Sequence, residues 1–365
     1  GIDRLSMNDA FLNEKNHMAT IDSDAHVLET PRTWDFMEGE DAKYRPMIVG
    51  QIDGEKQVTL QGNVMSQYWV VDGRIHNKEG NLDTKTAPES RELSDVSARV
   101  RHMDELEIDI QVLYPTLFLR PITANPAIEY ALCRSYNRWL AQINDQAPDR
   151  LPWVVCPPLL SMDRVRKELE FGKAHGACGI FIRAFENEHL LTDSYLYPLY
   201  ELASELDLAV CLHAGLNGAL VHEFFRESNF NRFKLTGVGA FHHLLLTGTP
   251  AKFPKVRWGF IELSAQWVPY ALNDLGLKFK MFHNEQTVGN LMKDNNIWVA
   301  CQSTDDLAYV LSYTGEDHLV IGTDYGHNDT STEIEALRTI RNDGKIPAAV
   351  CDKILGDNAR ALYGL

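Results

Sequence analysis

Short apolar runs, several of them ending on a polar residue, recur along the chain and set its architecture. They fall at residues 18–27, 109–114, 152–156, 178–183, 208–213, 256–262, 297–301 and 319–324. Each is rich in β-branched and apolar residues and almost continuous in hydrophobicity, the pattern of a strand buried on both faces. Longer amphipathic stretches separate them. Residues 161–174 read as a helix with Ser161 at its N-cap, and residues 194–206 as one with Leu196, Leu199, Leu202 and Leu206 on a single face. Eight strands alternating with helices predict a parallel sheet clothed in helices, in the α/β class. Eight such units close most naturally into a (β/α)8 TIM barrel. An open doubly wound sheet is the alternative, but no glycine-rich dinucleotide or phosphate loop follows any strand.

Residues from about 30 to 97 break this rhythm. Segments 51–60 and 67–76 alternate and carry Asp-Gly steps, which predicts short antiparallel strands. We read them as an N-terminal β-rich insertion after the first strand, covering one end of the core. No repeat or low-complexity linker divides the rest, so residues 1–365 are expected to form one domain.

Composition narrows the partners. A formal charge of -16 repels phosphate backbones and anionic lipid, so neither nucleic acid nor a membrane is expected, and a small-molecule substrate is. The six cysteines show no paired spacing and sit mostly in apolar runs, as free thiols in a reducing compartment do. No apolar stretch reaches membrane-span length and the polar start lacks a signal-peptide core, so a cytoplasmic location is expected.

The chemistry lies at the strand ends. Asp24 and His26 are two apart on one strand and share a face, while His213 and Asp324 each terminate an apolar run. Polar groups buried there are costly unless paired, and barrel active sites are built at the carboxyl ends of the strands. One shared divalent cation would satisfy all four. Imidazole nitrogens with carboxylate oxygens suit zinc, manganese or ferrous iron.

Five segments together resemble the amidohydrolase superfamily, and within it the branch of aminocarboxymuconate-semialdehyde decarboxylase. They are Asp24-x-His26-x-x-Glu29, the stretch 103–115, Leu212-His-Ala-Gly215, Ile321-Gly-Thr-Asp-Tyr-Gly-His327 and the ending 354–364. The resemblance implies a (β/α)8 fold, one or two divalent metals, a homodimer, and either hydrolysis or nonoxidative decarboxylation. Carried over by position, it makes Asp24, His26, His213 and Asp324 the metal ligands. At the sixth strand the chain departs from the branch. Glu262 and Ala265 align where the decarboxylases carry the histidine and glutamate that bind substrate and handle its proton. Glu262 is therefore expected as a metal ligand or base. Residues 179–183 offer no lysine to bridge two ions, and Glu262 with Asp324, Glu29 or His327 is the substitute.

The expected reaction is hydrolysis of an ester, thioester, amide or lactone of an aromatic or polycyclic small molecule by a metal-bound hydroxide. A cation lowers the pKa of its water from about 16 to about 7. Asp324 would act as general base and then acid, with Glu262 and His327 beside it. The alternative is nonoxidative decarboxylation of an aromatic or muconate-type acid; a hydratase and a barrel without catalysis are further rivals. Arg183 and Arg101 are candidates to clamp a substrate anion. His242 and His243 diverge by about 100° on a helical run, so at most one faces inward, and His243 is the substrate-binding candidate. Tyr68, Trp69, Tyr114, Phe118, Phe224, Phe225, Phe230 and Trp267 are expected to border the mouth, Tyr114 as a substrate contact. His222 and Glu223 are pocket-lining candidates, while His102, His175, His189 and His318 are read as structural.

Overall fold

A computed structural model describes residues 18–50, 57–58, 64–65, 67–78, 82–83, 85–216 and 230–365. Eight parallel strands form one sheet whose neighbours follow chain order. They are β1 (Ile21–His26), β2 (Ile110–Tyr114), β3 (Trp153–Val155), β4 (Ala177–Ile182), β5 (Ala209–His213), β6 (Trp258–Ile261), β7 (Ile297–Cys301) and β8 (Leu319–Ile321). Each lies within a run expected from the sequence, except that β4 begins one residue earlier, at Ala177. Except for half-buried Ile110 at the start of β2, every strand residue is buried, which is why these runs are continuous rather than alternating.

The first and last strands meet just beyond β8. The Asp324 N–H donates to Asp24 O at 2.8 Å and the His26 N–H to Tyr325 O at 3.1 Å. Gly322 permits this approach, since a Cβ there would lie 2.4 Å from Asp24 Cβ and 2.7 Å from its nitrogen. Asp22 fastens the seam. Its Oδ1 accepts from the Asp24 and Thr323 amides, and its Oδ2 from the Thr323 hydroxyl and Gln111 Nε2. Burial pushes the Asp22 carboxyl up to about 6.

Helices follow the strands as α1 (Val96–Glu105), α2 (Pro126–Gln146), α3 (Met162–Ala174), α4 (Tyr197–Leu206), α5 (Thr236–Thr247), α6 (Val268–Met281), α7 (Leu307–Thr314) and α8 (Ala336–Asn342). Asn125 caps α2 through its side chain, whereas Ser161 stands at the N-cap of α3 without a side-chain cap bond. There the Arg164 amide returns to the Ser161 carbonyl instead. A π-turn, Phe230–Leu235, leads into α5.

In the insertion, strands Met47–Gly50, Gln67–Val71 and Arg74–Asn77 form an antiparallel sheet. Asp72 and Gly73, with φ of 49° and 72°, make the two-residue turn that the Asp-Gly step predicts. The preceding segment seats on α2, where the Ser135 hydroxyl donates to Thr33 O and Arg134 to Phe36 O. Further on, the Asp83 amide donates to Gly326 O and so braces the loop after β8. All six cysteines are buried and free. No helix among the described residues is long and apolar enough to cross a membrane.

Candidate metal centre

Strand alternation turns Asp24 and His26 to the same side of β1, and β5 delivers His213 as its last residue. Glu262 follows β6 directly, and Asp324 lies three residues past β8. Asp24, His26, His213 and Glu262 each bring a ligand atom within 4.8 Å of the others, and Asp324 adjoins them through His26 and Glu262. His26 Nε2 and His213 Nε2 are 3.1 Å apart. Asp24 Oδ1 is 3.1 Å from the second and 3.2 Å from the first. Asp324 Oδ1 is 3.2 Å from His26 Nε2, and Glu262 Oε2 is 3.1 Å from His213 Nε2.

The protons decide what this cluster is. His26 Nδ1 lies 2.9 Å from Pro115 O and His213 Nδ1 2.7 Å from Ala214 O. A carbonyl only accepts, so each ring holds a proton on Nδ1 and a neutral ring turns a bare Nε2 inward. Charging both rings would set two cations side by side, and burial holds His213 below its ordinary pKa. The two Nε2 atoms, Asp24 Oδ1 and Glu262 Oε2 therefore face one another as acceptors. No donor reaches either Glu262 oxygen among the described residues. Lone pairs converging in a buried space repel until a cation enters. Two imidazole nitrogens and two carboxylate oxygens, with Asp324 alongside, are a donor set that fits a divalent transition-metal ion.

Electrostatics follow the same geometry. Burial, with Asp324 and Asp329 nearby, pushes the Glu262 carboxyl well above its usual range. Burial and Asp329 do the same to Asp324. A proton on His213 or His26 Nε2 would hold Asp24 well below that range against burial, as a bound cation would. Glu262 and Asp324 also have left-handed backbones, with φ of 62° and 55°. Such conformations cost about 1–3 kcal/mol each and concentrate at functional sites.

A hydrogen-bonded chain runs outward from Asp324. Its Oδ1 is 2.9 Å from His327 Nδ1, and its Oδ2 accepts from the Thr332 hydroxyl at 2.6 Å. The Thr116 hydroxyl donates to Val27 O, so it accepts from His327 Nε2, 2.8 Å away. With Nε2 protonated, a neutral His327 turns a bare Nδ1 to Asp324 Oδ1, and the pair has room for one proton between them. The His327 ring stacks on His26 with centroids 3.9 Å apart.

Other candidates lie elsewhere. Arg183 donates to Glu186 Oε2 at 2.7 Å and to Phe118 O at 3.0 Å, a pairing already made within the chain. The Tyr363 hydroxyl donates to Ser23 O, so the fully buried Tyr114 hydroxyl donates to Tyr363 and only its ring approaches His213, at 5.2 Å. His243 lines an apolar groove with Ala184, Phe185, Leu190, Leu235 and Ala240, outside the ligand cluster. Glu29 accepts the Thr116 and Leu117 amides, and burial pushes it up to about 7. Arg101 is exposed beside Asp95, and His242 binds Asp274. Trp69, Phe118 and Trp267 pack against Trp34, Tyr136 and Phe241 rather than standing free at a mouth. Phe230 is exposed. His102, His175, His189 and His318 each bond a local partner. His222, Glu223, Phe224 and Phe225 lie outside the described residues.

Sequence reasoning missed Thr116, Thr332 and Lys234. Lys234 donates to Glu262 O at 2.6 Å and to the Ser331 hydroxyl, and its ammonium is 3.8 Å from Glu262 Oε1. No sequence signal marks it, because the π-turn before α5 aims it.

Solved structures share this fold. An amidohydrolase of Mycobacterium avium subsp. paratuberculosis K-10 aligns with a TM-score of 0.75 at 18% identity, over 96% of this chain and 100% of that one. A 5-carboxyvanillate decarboxylase of Novosphingobium aromaticivorans, complexed with manganese, gives 0.61 at 18% identity over 73% and 79%. A 2,6-dihydroxybenzoate decarboxylase from Rhizobium gives 0.64 at 15% over 95% and 99%. At these identities the likeness is one of fold. The amidohydrolase family model matches residues 21–365, nearly the whole chain, and the protein belongs to that family.

Proposed function

We propose that this protein is a metal-dependent hydrolase in which Asp24, His26, His213, Glu262 and Asp324 hold a divalent zinc, manganese or iron ion. One observation carries the choice of hydrolysis: the carboxylate of Glu262, without a donor to either oxygen, stands 3.1 Å from His213 Nε2. In the decarboxylases of the resembled branch that strand end supplies an imidazole and, three residues on, a carboxylate for proton handling. Here residue 265 is an alanine whose amide binds Asp305 Oδ2, so strand six offers no such pair. A third carboxylate at the ion also disfavours a carboxylate substrate and favours a neutral acyl group.

The cation, when bound, polarises a carbonyl and acidifies a water from a pKa of about 16 to about 7. Asp324 Oδ1 accepts the proton released at the reacting centre, and His327 Nδ1, 2.9 Å away, shares it. Thr332 and Thr116 fix the two partners so that the same proton is returned to the leaving atom. The apolar groove of about 370 Å³ beside His243 supports an aromatic or polycyclic substrate body.

A second reading, nonoxidative decarboxylation of an aromatic acid, is favoured by the two decarboxylases of like fold, one complexed with manganese. The two separate in one experiment. Apoprotein reconstituted with zinc, manganese or ferrous iron is assayed on aromatic esters and lactones by acid release, and on hydroxybenzoates by carbon dioxide release. We expect metal-dependent acid release alone; carbon dioxide from a hydroxybenzoate would overturn the hydrolase reading in favour of the second.

A further inference from the structure

We propose that a cavity over the ends of β2, β3 and β4 receives a carboxylate at the far end of the substrate, with Arg120 as its anion-binding residue. This rests on the reading that an acyl group reacts at the metal centre, and it narrows the substrate to an aromatic acyl compound whose own anionic group lies away from the ion. Phe118 and Arg120 after β2, Cys156 after β3, Phe181 in β4 and Arg183 directly after it line the cavity. Its volume is about 30 Å³, room for about two waters, which matches the two oxygens of a carboxylate. The cavity adjoins the metal centre. The Phe181 ring in its wall stands 6.3 Å from the ring of His213, and Arg120 shares its loop with Thr116, the partner of His327.

The donors of that wall are unmatched. Arg120 Nε and Arg183 Nε are both buried, and neither has an acceptor among the described residues. Arg183 is 8% exposed and held in place, because its other nitrogens donate to Phe118 O and Glu186 Oε2. Arg120 forms no ion pair among the described residues. Glu29 is the carboxyl whose field reaches it, and both Glu29 oxygens already accept amides, those of Thr116 and Leu117. A guanidinium stays charged even where burial lowers its pKa, so Arg120 is a cation without a counter-charge bonded to it. The acidic side chains of the same wall do not supply one. Glu186 gives one oxygen to the Arg183 amide and the other to its guanidinium. Glu129 accepts the Leu160 amide, and burial pushes it up to about 7, so near neutral pH much of it is an uncharged acid. Water in the cavity would supply acceptors but no charge; a carboxylate supplies both.

Paired ligands test it. Full-length, zinc-loaded protein is titrated calorimetrically with benzohydroxamates, whose hydroxamate binds zinc. Each carries at the para position either a carboxylate or the neutral carboxamide, attached directly or through a short methylene chain. At the length that spans the two sites, wild type should bind the carboxylate at least about tenfold more tightly than its carboxamide. Arg120→Gln and Arg120→Met should bind the two alike while holding unsubstituted benzohydroxamate as wild type does. Equal binding of every pair by wild type would overturn the proposal, even where neither variant folds, and so would a preference that survives in a folded variant. If no hydroxamate binds wild type, the metal reading fails, and benzoate against benzamide on the metal-free protein then decides the cavity by itself. A benzoate preference that disappears with Arg120 supports the anion site, and the absence of any preference overturns it.

Discussion

Two buried ionic groups occupy the carboxyl-terminal side of this barrel, and they are built on opposite terms. Beyond β4, Glu186 receives the Arg183 guanidinium on one oxygen and the Arg183 amide on the other, both at 2.7 Å. At the ends of β1, β5 and β6, Asp24, His26, His213 and Glu262 point acceptors at acceptors. Burial is near complete in both. What separates a structural ion pair from a candidate reactive centre is therefore the matching of donors to acceptors.

The sharpest way to break that contrast is Asp324→Asn. Asn can still ligate but cannot take a proton, so turnover should fall by about a hundredfold to ten-thousandfold while bound metal is retained. Unchanged turnover with metal in place would remove Asp324 from proton transfer. On the paired side, Arg183→Met leaves the Glu186 charge buried alone and should destabilise the fold by about 3–5 kcal/mol with metal content unaltered. Denaturant titration measures it. A variant of wild-type stability whose kcat/KM collapses would restore Arg183 as a substrate clamp.

A smaller effect concerns Glu129, whose Oε1 accepts the Leu160 amide at 2.8 Å. Burial pushes its carboxyl from 4.5 up to about 7. The folded state then binds the proton more tightly than the unfolded chain. The stabilisation is complete below about 4.5 and is lost as pH rises through about 7. Glu129→Gln keeps the acceptor and removes the charge, so it should stabilise the protein at pH 8 by on the order of 3 kcal/mol or less, with little change at pH 4. Equal melting temperatures of both proteins across that range would contradict the assignment.

The sequence was legible where burial is two-sided. All eight strands stand out because a strand covered on both faces must be apolar along its length, and the polar residues that end β1 and β5 and follow β8 are conspicuous for the same reason. Arg183 reads as a free clamp until the turn after β4 brings Glu186 back to it. Trp69 and Phe118 read as a lid or, in the commoner use of such residues, as packing, and the fold chooses packing. Lys234, and the left-handed turns that aim Glu262 and Asp324, depend on backbone conformations that no residue pattern announces.

The seam between β1 and the end of β8 joins residues as far apart as Asp22 and Thr323, separated by 301 positions. Its closure spans nearly all of the polypeptide, which makes it among the most non-local contacts in the molecule. Because Asp24 and Asp324 lie on either side of that clasp, an ion bound between them would rivet the two ends of the barrel together. Demetallation should then loosen the protein first at its termini, a pattern that hydrogen exchange resolves.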